Sequence, residues 1–140
     1  MSSLYDPKDR GFPEALSAID RCQIAMLREQ SEDGGIADLV EMFSDEGPHT
    51  LDRIVAAIRD GDAPALRFAA HQLKGICGNF GAHRMGTLAA EMEQHGRAGE
   101  LAEAAVLLDP VRSEFSRVAE ALQIECSLDP ARAVETSTTQ

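Results

Sequence analysis

Apolar residues recur along this chain at intervals of three and four, with polar residues filling the positions between. Ile36, Leu39, Val40 and Phe43 form one such run, and Leu51, Ile54, Val55 and Ile58 continue it. That period predicts amphipathic helix rather than strand. Gly47-Pro48 falls between the two halves, so the pattern predicts one long helix bent at that point. Upstream, Pro13 suits a first helical turn, and the stretch to residue 30 supplies one or two short helices before the polar break SEDGG. Asp62 is a good N-cap, with Pro64 tolerated in the first turn of a helix that runs to about Gly78 or Phe80. Asn79 and Gly81 supply the next turn. Met85, Leu88, Ala89 and Met92 make a further stripe. After Gly96 and Gly99 the last stripe comprises Leu101, Ala105, Leu108, Phe115, Val118, Ala119 and Leu122, with Pro110 expected to bend it.

Four long amphipathic segments with short connections predict an all-α fold, an up-down four-helix bundle with one or two short N-terminal helices. The bundle is expected over residues 13–124. Residues 1–12 read as a flexible N-terminal arm, and the polar, proline-containing stretch 125–140 reads as a disordered tail. Composition agrees with helix-on-helix packing: 44% of the 140 residues are hydrophobic, only 4% are aromatic, and tryptophan is absent.

Charge narrows the partners. A net charge of −11 disfavours nucleic acid or an anionic membrane surface as the main partner. No apolar run approaches the roughly 20 residues that span a bilayer, and MSSLYDPKDRGF lacks an apolar secretory core. A cytoplasmic location is expected. Cys22, Cys77 and Cys126 are far apart and odd in number, which fits neither a disulfide framework nor a C-x-x-C site.

The chemistry concentrates in AHQLKGICGNFGA, residues 70–82. At about 100° per residue, Leu66, Ala69, Ala70, Leu73, Ile76, Cys77 and Phe80 share one apolar face. His71 falls about 160° from Leu73 on that projection and is expected to face solvent. Lys74, Gly75 and Gly78 lie on its side, at i+3, i+4 and i+7. Each interior glycine costs about 1 kcal/mol relative to alanine. Two such omissions beside an exposed imidazole point to a surface kept open for access.

Residues 70–82 closely resemble the signature of histidine phosphotransfer (HPt) domains, A-H-x-L-K-G-x-x-x-x-x-G-A. The matching residues are Ala70, His71, Leu73, Lys74, Gly75, Gly81 and Ala82. The resemblance extends through MGTLAAEMEQ and upstream to IVAAIRDGDAPALRFAAH, and in all covers about residues 19–122. One departure is Ile76-Cys77, where the family usually carries small residues.

The resemblance implies a phosphoryl carrier rather than an enzyme. An ordinary imidazole, with a pKa of about 6.5, is mostly neutral at cellular pH and nucleophilic. Nε2 of His71 would accept a phosphoryl group from an aspartyl phosphate of one receiver domain and pass it to another. Lys74 would pair with the phosphate oxygens, Gly75 would leave room for them, and Glu93 would accept the hydrogen bond from Nδ1 of His71. Gly78 would let a partner helix approach. Phe68, on the exposed side, is a candidate docking residue, with the first helix as an alternative cover for it. Arg67 and Arg84 are candidate contacts for a receiver's acidic pocket. The implied partners are the receiver domains of a hybrid histidine kinase and of a response regulator, met by a monomer. No cofactor is expected in this chain, and Mg²⁺ is expected in the receiver. The chain also carries no G-x-x-x-x-G-K-[ST] loop.

Three alternatives belong to other classes. A metal-binding bundle would use His49, His71, His83 and His95, but none has Glu at Glu-x-x-His spacing. A helical adaptor would keep the partner surface without phosphorylation, against which the intact His71, Lys74 and Gly75 stand. A histidine kinase would need an ATP-binding domain that the remaining length does not supply.

Overall fold

The computed structural model describes residues 14–129, and all of its regular structure there is helical. A 3-10 helix, Glu14–Ala18, precedes α1 (Arg21–Gln30), α2 (Ala37–Asp60), α3 (Ala63–Phe80) and α4 (His83–Ala98). The short α5 (Leu101–Val106) leads into α6 (Leu108–Ser127). Helix α3 packs between α2 and α4, and α6 closes the bundle against both. The 3-10 helix lies on α6 and α4. These four long helices are those that the periodicity predicts.

Local chemistry sets the boundaries. Oδ1 of Asp20 accepts the amides of Cys22 at 2.9 Å and Gln23 at 3.3 Å, which caps α1. Asp62 caps α3 in the same way through the amide of Ala65 at 3.1 Å. Gly81 ends α3 at φ 65°, and a Cβ there would meet Cβ of Asp20 at 2.4 Å. Both backbone conformation and space therefore require glycine. Gln23 donates through Nε2 to the carbonyls of Gly78 at 2.6 Å and Asn79 at 3.1 Å. Helix α1 thus satisfies carbonyls that the end of α3 leaves without intrahelical partners.

The core is aliphatic with one aromatic cluster. Phe43 meets Phe80 edge-on with centroids 5.9 Å apart and stacks on Phe115 at 5.0 Å. Gly47 makes room for that cluster, since a Cβ there would stand 2.8 Å from the Phe115 ring. Helix α2 continues through Pro48 without a break. Pro110 is the third residue of α6, where a missing amide costs little, so the division in the last segment falls at Leu107 instead. The short α5 buries Ala104 and exposes Ala105, a register the continuous stripe did not anticipate.

The tail boundary drawn at residue 125 falls inside α6, which runs on to Ser127. Glu125 and Asp129 are both buried. Arg28 reaches Oε1 of Glu125 and Oδ1 of Asp129, each at 3.0 Å, and Arg21 pairs with Oε2 of Glu125. Oδ2 of Asp129 accepts the Ile36 amide at the start of α2 at 2.9 Å. Polar residues that look like solvated tail are paired with residues about a hundred positions away. The arm at 1–12 and residues 130–140 lie outside the described residues.

Removing one partner from a buried ion pair strands the remaining charge, which costs about 3 kcal/mol or more. Arg28→Ala is expected to lose about that much stability in urea denaturation. Met26→Ala, on the exposed side of α1, is expected to stay within about 0.5 kcal/mol of the parent.

Candidate functional site

Helices α3 and α4 lie antiparallel, joined by the turn at Gly81 and Ala82. Their contact buries Leu66, Ala69, Ala70, Leu73 and Cys77 of α3 against Met85, Ala89 and Met92 of α4. This register sets Glu93 of α4 beside His71 of α3. Nδ1 of His71 lies 3.0 Å from Oε2 of Glu93. Nζ of Lys74 lies 2.9 Å from Oε1 of the same carboxylate. Arg97, one turn beyond Glu93 on α4, donates to Oε2 at 3.1 Å.

The carboxylate is almost fully enclosed, with 6% of its side chain exposed, whereas 66% of the His71 ring is open to solvent. Burial alone would raise the pKa of Glu93. The Lys74 ammonium, joined by Arg97 and the His71 ring, overrides burial and brings the carboxyl down to about 2. At neutral pH Glu93 is therefore a pure acceptor, so the hydrogen on its shared contact with His71 resides on Nδ1. Nε2 of the neutral ring then carries the lone pair, and it has no partner among the described residues.

The surface around that nitrogen is bare. A Cβ built on Gly75 or Gly78 would meet nothing within 4 Å, so packing does not require either glycine. Arg67, Phe68, His71, Glu93 and Arg97 line a cleft of about 200 Å³. Phe68 is 64% exposed, and no helix among the described residues covers it. It also lines a neighbouring groove with Ala56, Ala57, Ala65 and Ala69 between α2 and α3. Gly78 sits two turns beyond His71, its carbonyl occupied by Gln23.

His71, Lys74, Gly75, Glu93, Arg67 and Phe68 therefore share one face. Arg84 does not join them. It occupies the first turn of α4, about 13 Å along the helix axis from Glu93, and its Nε points to Oε1 of Glu114 at 3.8 Å. A separate cleft between α4 and α6 holds it with Thr87, Leu88 and Ser113. Arg97 takes its place beside Arg67. Sequence reasoning missed Arg97, although its i+4 spacing from Glu93 was a usable signal.

Other chemistry finds less support. Among the described residues no group of three or more His, Cys, Asp and Glu is placed to hold a metal ion. His83 pairs with Asp20 at 3.6 Å and His95 with Glu100 at 2.9 Å, each apart from His71. Burial pushes the Cys77 thiol up to about 12, which leaves it an inert core residue. No helix among the described residues is long and apolar enough to cross a membrane.

The open glycines carry a separable prediction. Gly75→Ala is expected to gain about 1 kcal/mol of stability by helix propensity, because its methyl meets no neighbour. The same methyl is expected to slow phosphoryl uptake at His71. Thermal denaturation beside a transfer assay checks both, and a loss of stability would show that the glycine serves packing.

The geometry agrees with comparisons to known proteins. Residues 38–123 match the model of the Hpt domain family. Among solved structures, the chain is similar to the crystal structure of histidine-containing phosphotransfer protein B (HptB) from Pseudomonas aeruginosa PAO1. The two share 33% identity over 79% of this chain and 95% of that one, with a TM-score of 0.74. No curated protein matches in sequence. A family match over most of the bundle, together with a solved structure 33% identical to this chain, shows that it belongs to the Hpt domain family of histidine phosphotransfer proteins.

Proposed function

We propose that His71 is the phosphoryl carrier of this chain and relays the group between the aspartates of two receiver domains. The observation that carries this reading is the Nδ1 contact with a buried, ionised Glu93, which leaves Nε2 free and exposed. The Nε2 lone pair attacks the phosphorus of a receiver's aspartyl phosphate. An Nε2–P bond forms as the P–O bond breaks, and its electron pair returns to the aspartate carboxylate. With Nδ1 still protonated, the ring becomes cationic as the bond forms. The Glu93 carboxylate faces that developing charge directly.

Lys74 pairs with Glu93 before transfer and, at 44% exposed, is free to swing toward the phosphoryl oxygens. Onward transfer reverses the same step on a second receiver. Any Mg²⁺ belongs to the receiver in this scheme and would supply charge neutralisation there, with no ligand from this chain. The chain acts without an ATP site of its own, as a cytoplasmic monomer that meets the receiver domains of a hybrid histidine kinase and a response regulator. Neither nucleic acid nor membrane is a partner in this reading. The acidic net charge of −11 supports it on the first point.

Radiolabelled phosphate from a panel of phosphorylated receivers tests the proposal. Acid-labile, base-stable label is expected on the parent chain and absent from His71→Ala. Label retained by the folded variant contradicts the assignment. Folded parent that takes no label from any receiver favours the adaptor reading.

Glu93→Gln is expected to slow transfer about tenfold, since it removes a charge-assisted hydrogen bond. The carboxyl is held down near 2 in the folded chain against 4.5 for the ordinary group, so its stabilising effect is full above about pH 4.5. It is lost as pH falls toward 2. Stability of Glu93→Gln is therefore expected to fall less steeply than that of the parent across this window, as followed by acid denaturation.

A further inference from the structure

The cleft beside His71 holds more positive charge than Glu93 consumes. Its lining contains two guanidinium groups, Arg67 and Arg97, and one carboxylate. Oε1 of that carboxylate is taken by Lys74, and Oε2 is already shared between His71 and Arg97. Arg67 has no ion pair or hydrogen-bonding partner among the described residues. In a chain of net charge −11, an unpaired arginine set beside a second arginine calls for an anion.

Their proximity is built into the backbone. Gly96, immediately before Arg97, is buried where α4 crosses α3. A Cβ on Gly96 would stand 2.8 Å from the amide nitrogen of Arg67 and 3.0 Å from its Cα. Only glycine permits this approach, and it brings the two arginines into one cleft. Arg67 lies one turn before His71 on α3, and Lys74 lies one turn after it. Cations therefore flank the imidazole along the helix on both sides.

We propose that Arg67 and Arg97 form an oxyanion clamp that holds the phosphoryl group on His71 from the side opposite Lys74. This inference rests on His71 as the phosphoryl carrier. Guanidinium forks match phosphate oxygens in planar, bidentate geometry, which a lysine does not reproduce. Turning Arg97 to the phosphate leaves Oε2 of Glu93 to the ring Nδ1–H alone, so the clamp engages as the charge arrives. The clamp lowers the free energy of the phosphorylated chain relative to the free one and favours retention on His71.

Phosphoramidate loads histidine without a receiver, which separates this inference from the identity of the partner. The phosphoryl group on His71 is followed by ³¹P resonance as pH is varied, at low and high salt. Neighbouring cations favour the dianion. In Arg67→Gln/Arg97→Gln the phosphoryl titration is expected to move up by about half a unit at low salt, corresponding to about threefold weaker stabilisation by exposed charges. The single variant Arg67→Gln, which breaks no existing ion pair, is expected to shift part of the way. Arg97→Lys, which keeps the charge without the fork, is expected to recover only part of the effect, and high salt to shrink it. An unshifted titration in the double variant, folded by circular dichroism, overturns the clamp. So does an unshifted titration with a raised KM for a receiver, which assigns the arginines to docking. A parent chain that takes no phosphoryl group at His71 contradicts the carrier reading itself, and the clamp falls with it.

Discussion

A carboxylate buried between two helices must be surrounded by donors, and at Glu93 this requirement orders the site. Its two oxygens take hydrogen bonds from Lys74, His71 and Arg97, which reach it from two helices. Those donors hold it ionised, and its ionised state fixes where the imidazole proton sits. One enclosed charge therefore orients an exposed ring. Lys74, His71 and Arg97 thus share one anchor.

The rest of the bundle keeps that anchor in register. Helix α3 is fixed at its start by the Asp62 cap and at its end by α1, whose Gln23 and Asp20 hold the terminal carbonyls. Helix α4 is drawn against it at Gly96, where no side chain intervenes. A slip of one residue along α4 would turn Glu93 by about 100° and take it out of reach of His71. The cluster of Arg21 and Arg28 with the buried carboxylates of Glu125 and Asp129 joins α1, the start of α2 and the end of α6.

Much of the fold was legible because it rests on local rules. The 3.6-residue stripe, the cap at Asp62 and the turn at Gly81 are encoded within a few residues of where they act. His71, Lys74 and Gly75 were legible for the same reason, since all three lie within two turns of one helix. Features that depend on distant segments were misread. Glu125 and Asp129 look like solvated tail until Arg28 is brought to them, and Pro110 looks like a bend until α6 is seen to begin just before it. Arg84 and Arg97 are alike as isolated surface arginines. The i+4 spacing from Glu93 points to Arg97, and the inter-helix register at Gly96 brings it into the cleft. Glu93 falls between these cases, because its helix was evident while its reach to His71 depended on the same register.

The central claim is that Glu93 holds the Nδ1 proton of His71 and leaves Nε2 as the reacting atom. With ¹⁵N in the imidazole, the nitrogen resonances report the tautomer of the free chain. Coupling to ³¹P in the phosphorylated chain identifies the bonded nitrogen. The account predicts a proton on Nδ1 before transfer and ³¹P coupling to Nε2 afterwards. A proton resident on Nε2, or phosphorus bonded to Nδ1, would contradict it.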